Sequence, residues 1–119
     1  MENKEFGIQL EMRTKNFAVQ VFKLSEKLPK SEEWKVIKSQ ITKSGTSIGA
    51  NYREANRSRS KADFLNKIKI CESETSETIY WLDIISDLRT NQESKDLITK
   101  EAKELLAIFT SIINKLKST

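Results

Sequence analysis

The sequence predicts an all-α fold, with four antiparallel helices in an up-down-up-down bundle. Three observations lead there. Only one proline and three glycines stand among the 119 residues, so the two residue types that most often interrupt helices are scarce. Apolar residues recur at steps of three and four along most of the chain, the period of a helix with one buried face. Three short breaks divide that pattern, and helices joined by short connections pack as antiparallel neighbours. One domain spanning residues 1–119 is expected, long enough to bury a core without disulfides or metal.

Near the start, Phe6, Ile8, Leu10 and Met12 alternate as they would in a strand, but no partner strand is visible elsewhere. They are read as a lead-in, helical or not, to the first helix, placed at about 13–28, where Phe17, Val21, Leu24 and Leu28 recur at helical spacing. Pro29 stops it, because proline cannot donate to the helical ladder and disfavours helical geometry in the residue before it. Ser31 followed by Glu32 and Glu33 starts the second helix, a capping hydroxyl and then carboxylates at the positive end of the helix dipole. This helix is expected over 32–57, with Trp34, Ile37, Ile41, Ser44, Ile48, Tyr52 and Ala55 on one stripe. Gly45 and Gly49 each cost it roughly 1 kcal/mol relative to alanine. Their presence is read as room for a neighbour to approach closely.

A reversal follows at about 58–61, where Ser60 and Asp63 have the spacing of a capping box with Asp in the usual Glu position. The third helix, about 61–89, carries Phe64, Ile68, Cys71, Thr75, Thr78, Leu82 and Ile85 on its core stripe. Residues 90–93 are polar and break the pattern. The fourth helix, about 93–117, carries Ala102, Leu105, Phe109, Ile112 and Leu116. There is no internal repeat, linker or low-complexity segment.

Catalytic chemistry finds little support. The chain has no histidine, so the commonest general base and metal ligand is missing, and with it the Glu-x-x-His element of di-iron bundles. Cys71 falls on a core stripe with no histidine to activate it, which reads as a buried structural thiol. Gly45 and Gly49 follow no strand and lack the Gly-Lys-Ser/Thr of a phosphate loop. Glu54, Glu74 and Glu77 could in principle form a carboxylate site, but surface ion pairs with Lys43, Arg53 or a neighbouring subunit are the plainer reading. Neither an enzyme nor a cofactor or metal is expected. A lone cysteine cannot form an internal disulfide, the N-terminus has no apolar run, and no stretch approaches the ~18 apolar residues of a membrane span. A cytoplasmic protein without membrane contact is the expectation.

The outer faces of the second and third helices hold more information. Opposite its core stripe, the second helix shows Lys43, Thr46, Ser47, Ala50, Arg53, Glu54 and Arg57; between 46 and 50 this surface is too small and uncharged for an ordinary solvated face. Away from the core, the third helix collects Ile70, Glu74, Glu77, Trp81, Ile84 and Leu88. A helix apolar on two sides is either central in its domain or in contact with another chain. A four-helix bundle has no central helix, so a homo-oligomer interface is expected at Thr46, Ser47, Ala50, Asn51, Glu54, Glu77 and Trp81. Asn51 and Glu54 would act there as a polar pair that fixes register. The plainer reading is that Trp81 and Ile84 pack on a neighbouring helix or on the N-terminal segment.

Charge is unevenly placed on the same hairpin. Residues 41–70 carry Lys43, Arg53, Arg57, Arg59, Lys61, Lys67 and Lys69 against Glu54 and Asp63, a local +5. Residues 71–93 carry Glu72, Glu74, Glu77, Asp83, Asp87 and Glu93 against Arg89, a local −5. In the expected topology the reversal lies beside the start of the first helix and the end of the fourth, so Arg13, Lys15, Lys115 and Lys117 would join the basic end. Arginine grips phosphate through paired hydrogen bonds, which makes Arg53, Arg57, Arg59, Lys61, Lys67 and Lys69 candidate nucleic-acid contacts. The alternative is a solvated face with lysines that compensate helix dipoles.

The run SGTSIGANYREANRSRSKADF, together with Glu77 and the IYWL run at 79–82, closely resembles the bacterial four-helix bundle proteins related to those encoded in 23S ribosomal RNA intervening sequences. The resemblance extends over nearly the whole chain, from RTKNFAVQVFKLSEKLP to the fourth helix. That family in turn resembles the accessory proteins of diversity-generating retroelements, which form pentameric barrels and bind nucleic acid beside a reverse transcriptase. The resemblance implies a four-helix protomer, a ring-shaped homo-oligomer, a pentamer by that analogy, and a basic surface for RNA or DNA. Two functional classes stand open: a non-enzymatic nucleic-acid-binding oligomer, and an oligomeric scaffold that binds another protein with no nucleic-acid role.

Overall fold

A computed structural model describes residues 4–89 and 93–118 as four helices in chain order: α1 (Lys4–Glu26), α2 (Glu32–Ala55), α3 (Lys61–Leu88) and α4 (Glu93–Lys117). Each helix packs on its neighbours in sequence, α4 returns to close on α1, and the diagonal pairs do not approach at the backbone among the described residues. This is the expected up-down-up-down bundle, with extents of 47 × 22 × 21 Å.

Local chemistry accounts for most helix ends. Ser31 Oγ accepts from the Trp34 N–H at 3.2 Å, and Ser60 Oγ accepts from the Asp63 N–H at 3.1 Å, so both expected caps form. Before Pro29 the chain leaves the helix two residues earlier than the sequence suggests. The Lys27 and Leu28 N–H groups bond back only three residues, to the Leu24 and Ser25 carbonyls, and Leu28 drops into the core. The end of α2 tightens in the same way: Arg57 and Ser58 donate to the Glu54 and Ala55 carbonyls, so the regular helix stops at Ala55 rather than 57. The polar break predicted at 90–93 falls mostly outside the described residues.

The larger correction is at the front. Residues 4–12 belong to α1 itself, so the first helix starts at Lys4 rather than at about 13. Leu10 and Gly7 face the core, while Ile8 and Met12 point outward, so the apparent period of two is accidental.

Inside, Phe17, Val21, Leu24, Ile41, Ile48, Tyr52, Phe64, Ile68, Leu82, Ile85, Leu105 and Phe109 are buried, as their spacing predicts. Tyr52 and Phe109 cross the diagonal with ring centroids 6.0 Å apart. Trp34 and Leu116, predicted on core stripes, are only partly buried against that core. Thr14, Ser44, Thr75 and Thr78 set hydroxyls into the apolar interior, and each of these is hydrogen-bonded. Thr14 donates to the Leu10 carbonyl at 2.9 Å, Thr75 to Cys71 at 2.7 Å and Thr78 to Glu74 at 2.8 Å, with the Thr78 and Ser44 hydroxyls joined at 2.8 Å. At the far end the nearly buried Lys95 ammonium donates to Ser86 Oγ at 2.6 Å and meets Asp96 at 2.9 Å, tying α4 to α3.

Both interior glycines of α2 face α1. A Cβ built on Gly45 would stand 2.9 Å from Val21 Cγ1, and one on Gly49 would stand 3.2 Å from Thr14 Oγ1. The close approach inferred from sequence is therefore the α1–α2 seam. Between α1 and α4 a cleft of about 350 Å³ opens, lined by Asn16, Gln20, Leu97 and Ile98. Arg13 bridges the seam next to it.

Candidate interface and basic end

The outer surface of α2 is smooth because its polar groups turn back on their own helix. Thr46 Oγ1 donates to the Thr42 carbonyl at 2.8 Å, Ser47 Oγ to Lys43 at 2.7 Å and Asn51 Nδ2 to Ser47 at 2.9 Å. Hydroxyls satisfied in this way can be covered without leaving an unpaired donor. Ala50 is exposed in the middle of this surface.

Across the groove, α3 presents the second stripe. Ile70 and Leu88 are exposed at 40% and 58%, whereas Trp81 and Ile84 are half-buried against the core. The plain reading of Trp81 and Ile84 as packing residues is thus partly right, and the stripe still reaches solvent at both ends. Trp81 Nε1 donates to Glu77 Oε2 at 3.2 Å, and its ring meets Tyr80 edge to face at 5.1 Å. Glu74 sits half-covered between Glu77 and Lys43; burial pushes its carboxyl up, Glu77 adds to the push, and Lys43 partly opposes it.

Within one copy of the chain, Asn51 and Glu54 bond other groups rather than each other. Asn51 is spent on its own backbone, and Glu54 reaches across to Lys67, with Oε1 and Nζ 2.9 Å apart. The Lys67 hydrogen bond holds the Glu54 carboxyl below its usual range, and the same bond holds the Lys67 ammonium above its own.

At the reversal, Arg57, Arg59, Lys61 and Lys69 are exposed. The start of α1 lies beside this turn, since a Cβ on Gly7 would stand 3.3 Å from Asn56 Nδ2. Exposed Lys115 and Lys117, in the last turn of α4, belong to the same end. Lys67 is engaged by the Glu54 carboxylate, and Arg53 lies 3.8 Å from that of Glu11. Glu11 also accepts from Asn56 Nδ2 at 2.8 Å, which sets an acid at the edge of the basic cluster.

Arg13 does not belong to this end. It lies along the α1–α4 seam, bonded to Glu101 at 2.6 and 2.7 Å and to Glu104 at 2.7 Å, and the Glu101 hydrogen bonds lead in raising the pKa of its guanidinium. Lys15 is likewise several turns from the start of α1. The place of Arg13 depends on which residues of α4 stand opposite, and that of Lys15 on how early α1 begins.

Cys71 is buried beneath the second stripe, its Sγ 3.5 Å from the Ile48 carbonyl, and burial pushes the thiol up to about 12. No cluster of three or more metal-ligating side chains occurs among the described residues. Nor is any described helix long and apolar enough to cross a membrane.

Comparison with known proteins agrees with the fold. A crystal structure of a protein of unknown function from the S23 ribosomal protein family of Bacteroides thetaiotaomicron superposes with a TM-score of 0.79 at 36% identity, covering 87% of this chain and 96% of that one. No curated protein matches the chain. The 23S rRNA-intervening sequence protein family matches residues 8–111, nearly the whole bundle, and the chain belongs to that family.

Proposed function

We infer that the protein is a non-enzymatic, homo-oligomeric nucleic-acid-binding protein, and that its contact surface is the basic end of the bundle. The observation that carries this reading is the exposure of Arg57, Arg59, Lys61 and Lys69 around one tight reversal, with Lys115 and Lys117 at the same end. A single protomer of net charge +4 would bind a polyanion weakly, whereas several linked copies gain through effective concentration. Phosphate contacts release condensed counterions, so affinity falls steeply with salt and depends little on base sequence. Arg53 and Lys67 contribute less, since each would first have to leave a carboxylate.

The test is a titration against structured RNA and duplex DNA at two salt concentrations. Arg57→Glu with Lys61→Glu should abolish binding and leave the assembly intact. Tight binding by that double variant, or wild-type binding that ignores salt, would favour the protein-scaffold reading instead.

A further inference from the structure

Outward from the core, α1 carries Ile8, Met12, Lys15, Val19 and Phe22, at steps of four, three, four and three. That is the spacing of a helix–helix seam. Its four apolar members are exposed at 52, 60, 42 and 53%, which is unusual for one continuous face of a bundle helix. On the other side of the molecule, α3 is diagonal to α1 in the square of helices and carries its own stripe of Ile70, Glu74, Glu77, Trp81, Ile84 and Leu88.

The two stripes match in level as well as in character. Thr14 meets Gly49, whose neighbour Ile48 bonds Cys71; Val21 meets Gly45, whose neighbour Ser44 bonds Thr78. Lys15 therefore stands within about one helical turn (~5 Å) of the height of Glu74. Ile8 and Met12 lie below it, on the Ile70 side, and Val19 and Phe22 lie above it, toward Trp81 and Ile84. Each stripe thus reads apolar, charged, apolar in the same direction, with a lysine at the centre of one and two glutamates at the centre of the other. Glu74 is already partly stripped of water, so a cation brought against it would relieve an existing penalty.

We propose that the outer face of α1 docks on the α2–α3 groove of a second copy of this chain, with Lys15 placed between Glu74 and Glu77 of that copy. The small surface of Ser47 and Ala50 gives the incoming helix its closest approach. Because the two faces are different and lie on opposite sides of the bundle, the contact is head-to-tail and repeats from copy to copy. The proposal rests on the reading of the chain as a homo-oligomer and names its two surfaces.

Light scattering and circular dichroism on the full chain and its variants test it. Wild type should exceed the 13.7 kDa protomer mass at micromolar concentration. Val19→Asp with Phe22→Asp should reduce it to the protomer with its helix content unchanged. Glu74→Lys with Glu77→Lys should weaken assembly at least about tenfold by setting like charges against Lys15, and adding Lys15→Glu to that pair should restore it. Should the apolar-to-Asp variant not fold, the charge exchange carries the test alone. A wild-type mass kept by Glu74→Lys with Glu77→Lys, or no rescue by Lys15→Glu, overturns the proposed pairing while leaving oligomerisation standing. A monomeric wild type overturns the oligomer reading itself.

Discussion

Gly45 of α2 and Val21 of α1 meet so closely that a methyl group on the glycine would lie 2.9 Å from Val21 Cγ1 and 3.1 Å from Cγ2. Val21 is fully buried and β-branched, so it has no easy rotamer to retreat into. Gly45→Ala should therefore lose stability despite a gain of about 1 kcal/mol in helix propensity, because overpacking typically costs about 1–3 kcal/mol. Gly7→Ala is the contrast. Its new methyl would come nearest the exposed Asn56 side chain, which need give by only a few tenths of an ångström, so the propensity gain should survive as a rise of about 0.5–1 kcal/mol. Urea denaturation of the two variants gives the comparison, and equal effects of the same sign would contradict it.

Glu54 and Asn51 should prove separable. Glu54→Gln removes the partner of Lys67, whose raised ammonium pKa and lowered Glu54 pKa both mark a favourable pair. The Glu54 contribution is present above its ordinary value of 4.5 and fades as pH falls. The Lys67 contribution is complete below 10.5 and is lost as pH rises through the folded-state value. Glu54→Gln should thus flatten the stability profile at both ends. Asn51→Ala should leave that profile's shape unchanged, since the Asn51 amide bonds only its own helix. A double-mutant cycle between positions 51 and 54 should show no coupling beyond about 0.5 kcal/mol.

Cys71 should resist thiol reagents until the bundle opens. Its folded-state pKa of about 12 keeps the thiolate scarce at neutral pH, and the side chain is fully buried. Between its ordinary value of 9.0 and about 12, the unfolded chain ionises this thiol while the folded chain does not. Stability should accordingly fall across that interval, with a slope approaching about 1.4 kcal/mol per pH unit. Cys71→Ala should lower stability overall yet weaken the alkaline decline. Rapid labelling of the native protein at pH 7 would count against the buried assignment.

Arg13 holds the α1–α4 seam, and Arg13→Met should lower stability by about 1 kcal/mol. The side chains of Arg13 and Glu101 are 37% and 30% exposed, so solvent screening limits the loss. A double-mutant cycle with Glu101→Gln measures the pair; no measurable coupling would show the two bonds to be inconsequential.

What was legible in the sequence was what neighbouring residues decide among themselves. Pro29, Ser31 and Ser60 punctuate the chain through backbone geometry and local hydrogen bonds, and the burial of Phe17, Ile41, Ile68 and Phe109 follows from the period of a helix. Two kinds of fact escaped. Phe6, Ile8, Leu10 and Met12 mix a core face with an outer face, and the overlap of the two mimics a strand. That mimicry hid the stripe continuing to Val19 and Phe22. The partners of Arg13 and Arg53 depend on how helices far apart in the chain are set against one another. A list of basic residues near a turn therefore overstated how many are available to a ligand.

Chain order around the bundle also bears on how it forms. Three of the four seams join helices consecutive in sequence, and only the α1–α4 seam links the two ends of the chain. Helical proteins rich in local contacts fold in microseconds to milliseconds, because little loop entropy is lost before contacts reward it. The α1–α4 seam alone requires the ends to meet, so it is expected to close after the rate-limiting step. Stopped-flow measurements on Arg13→Met should then show faster unfolding at a nearly unchanged refolding rate. Gly45→Ala, at a seam between consecutive helices, should slow refolding as well.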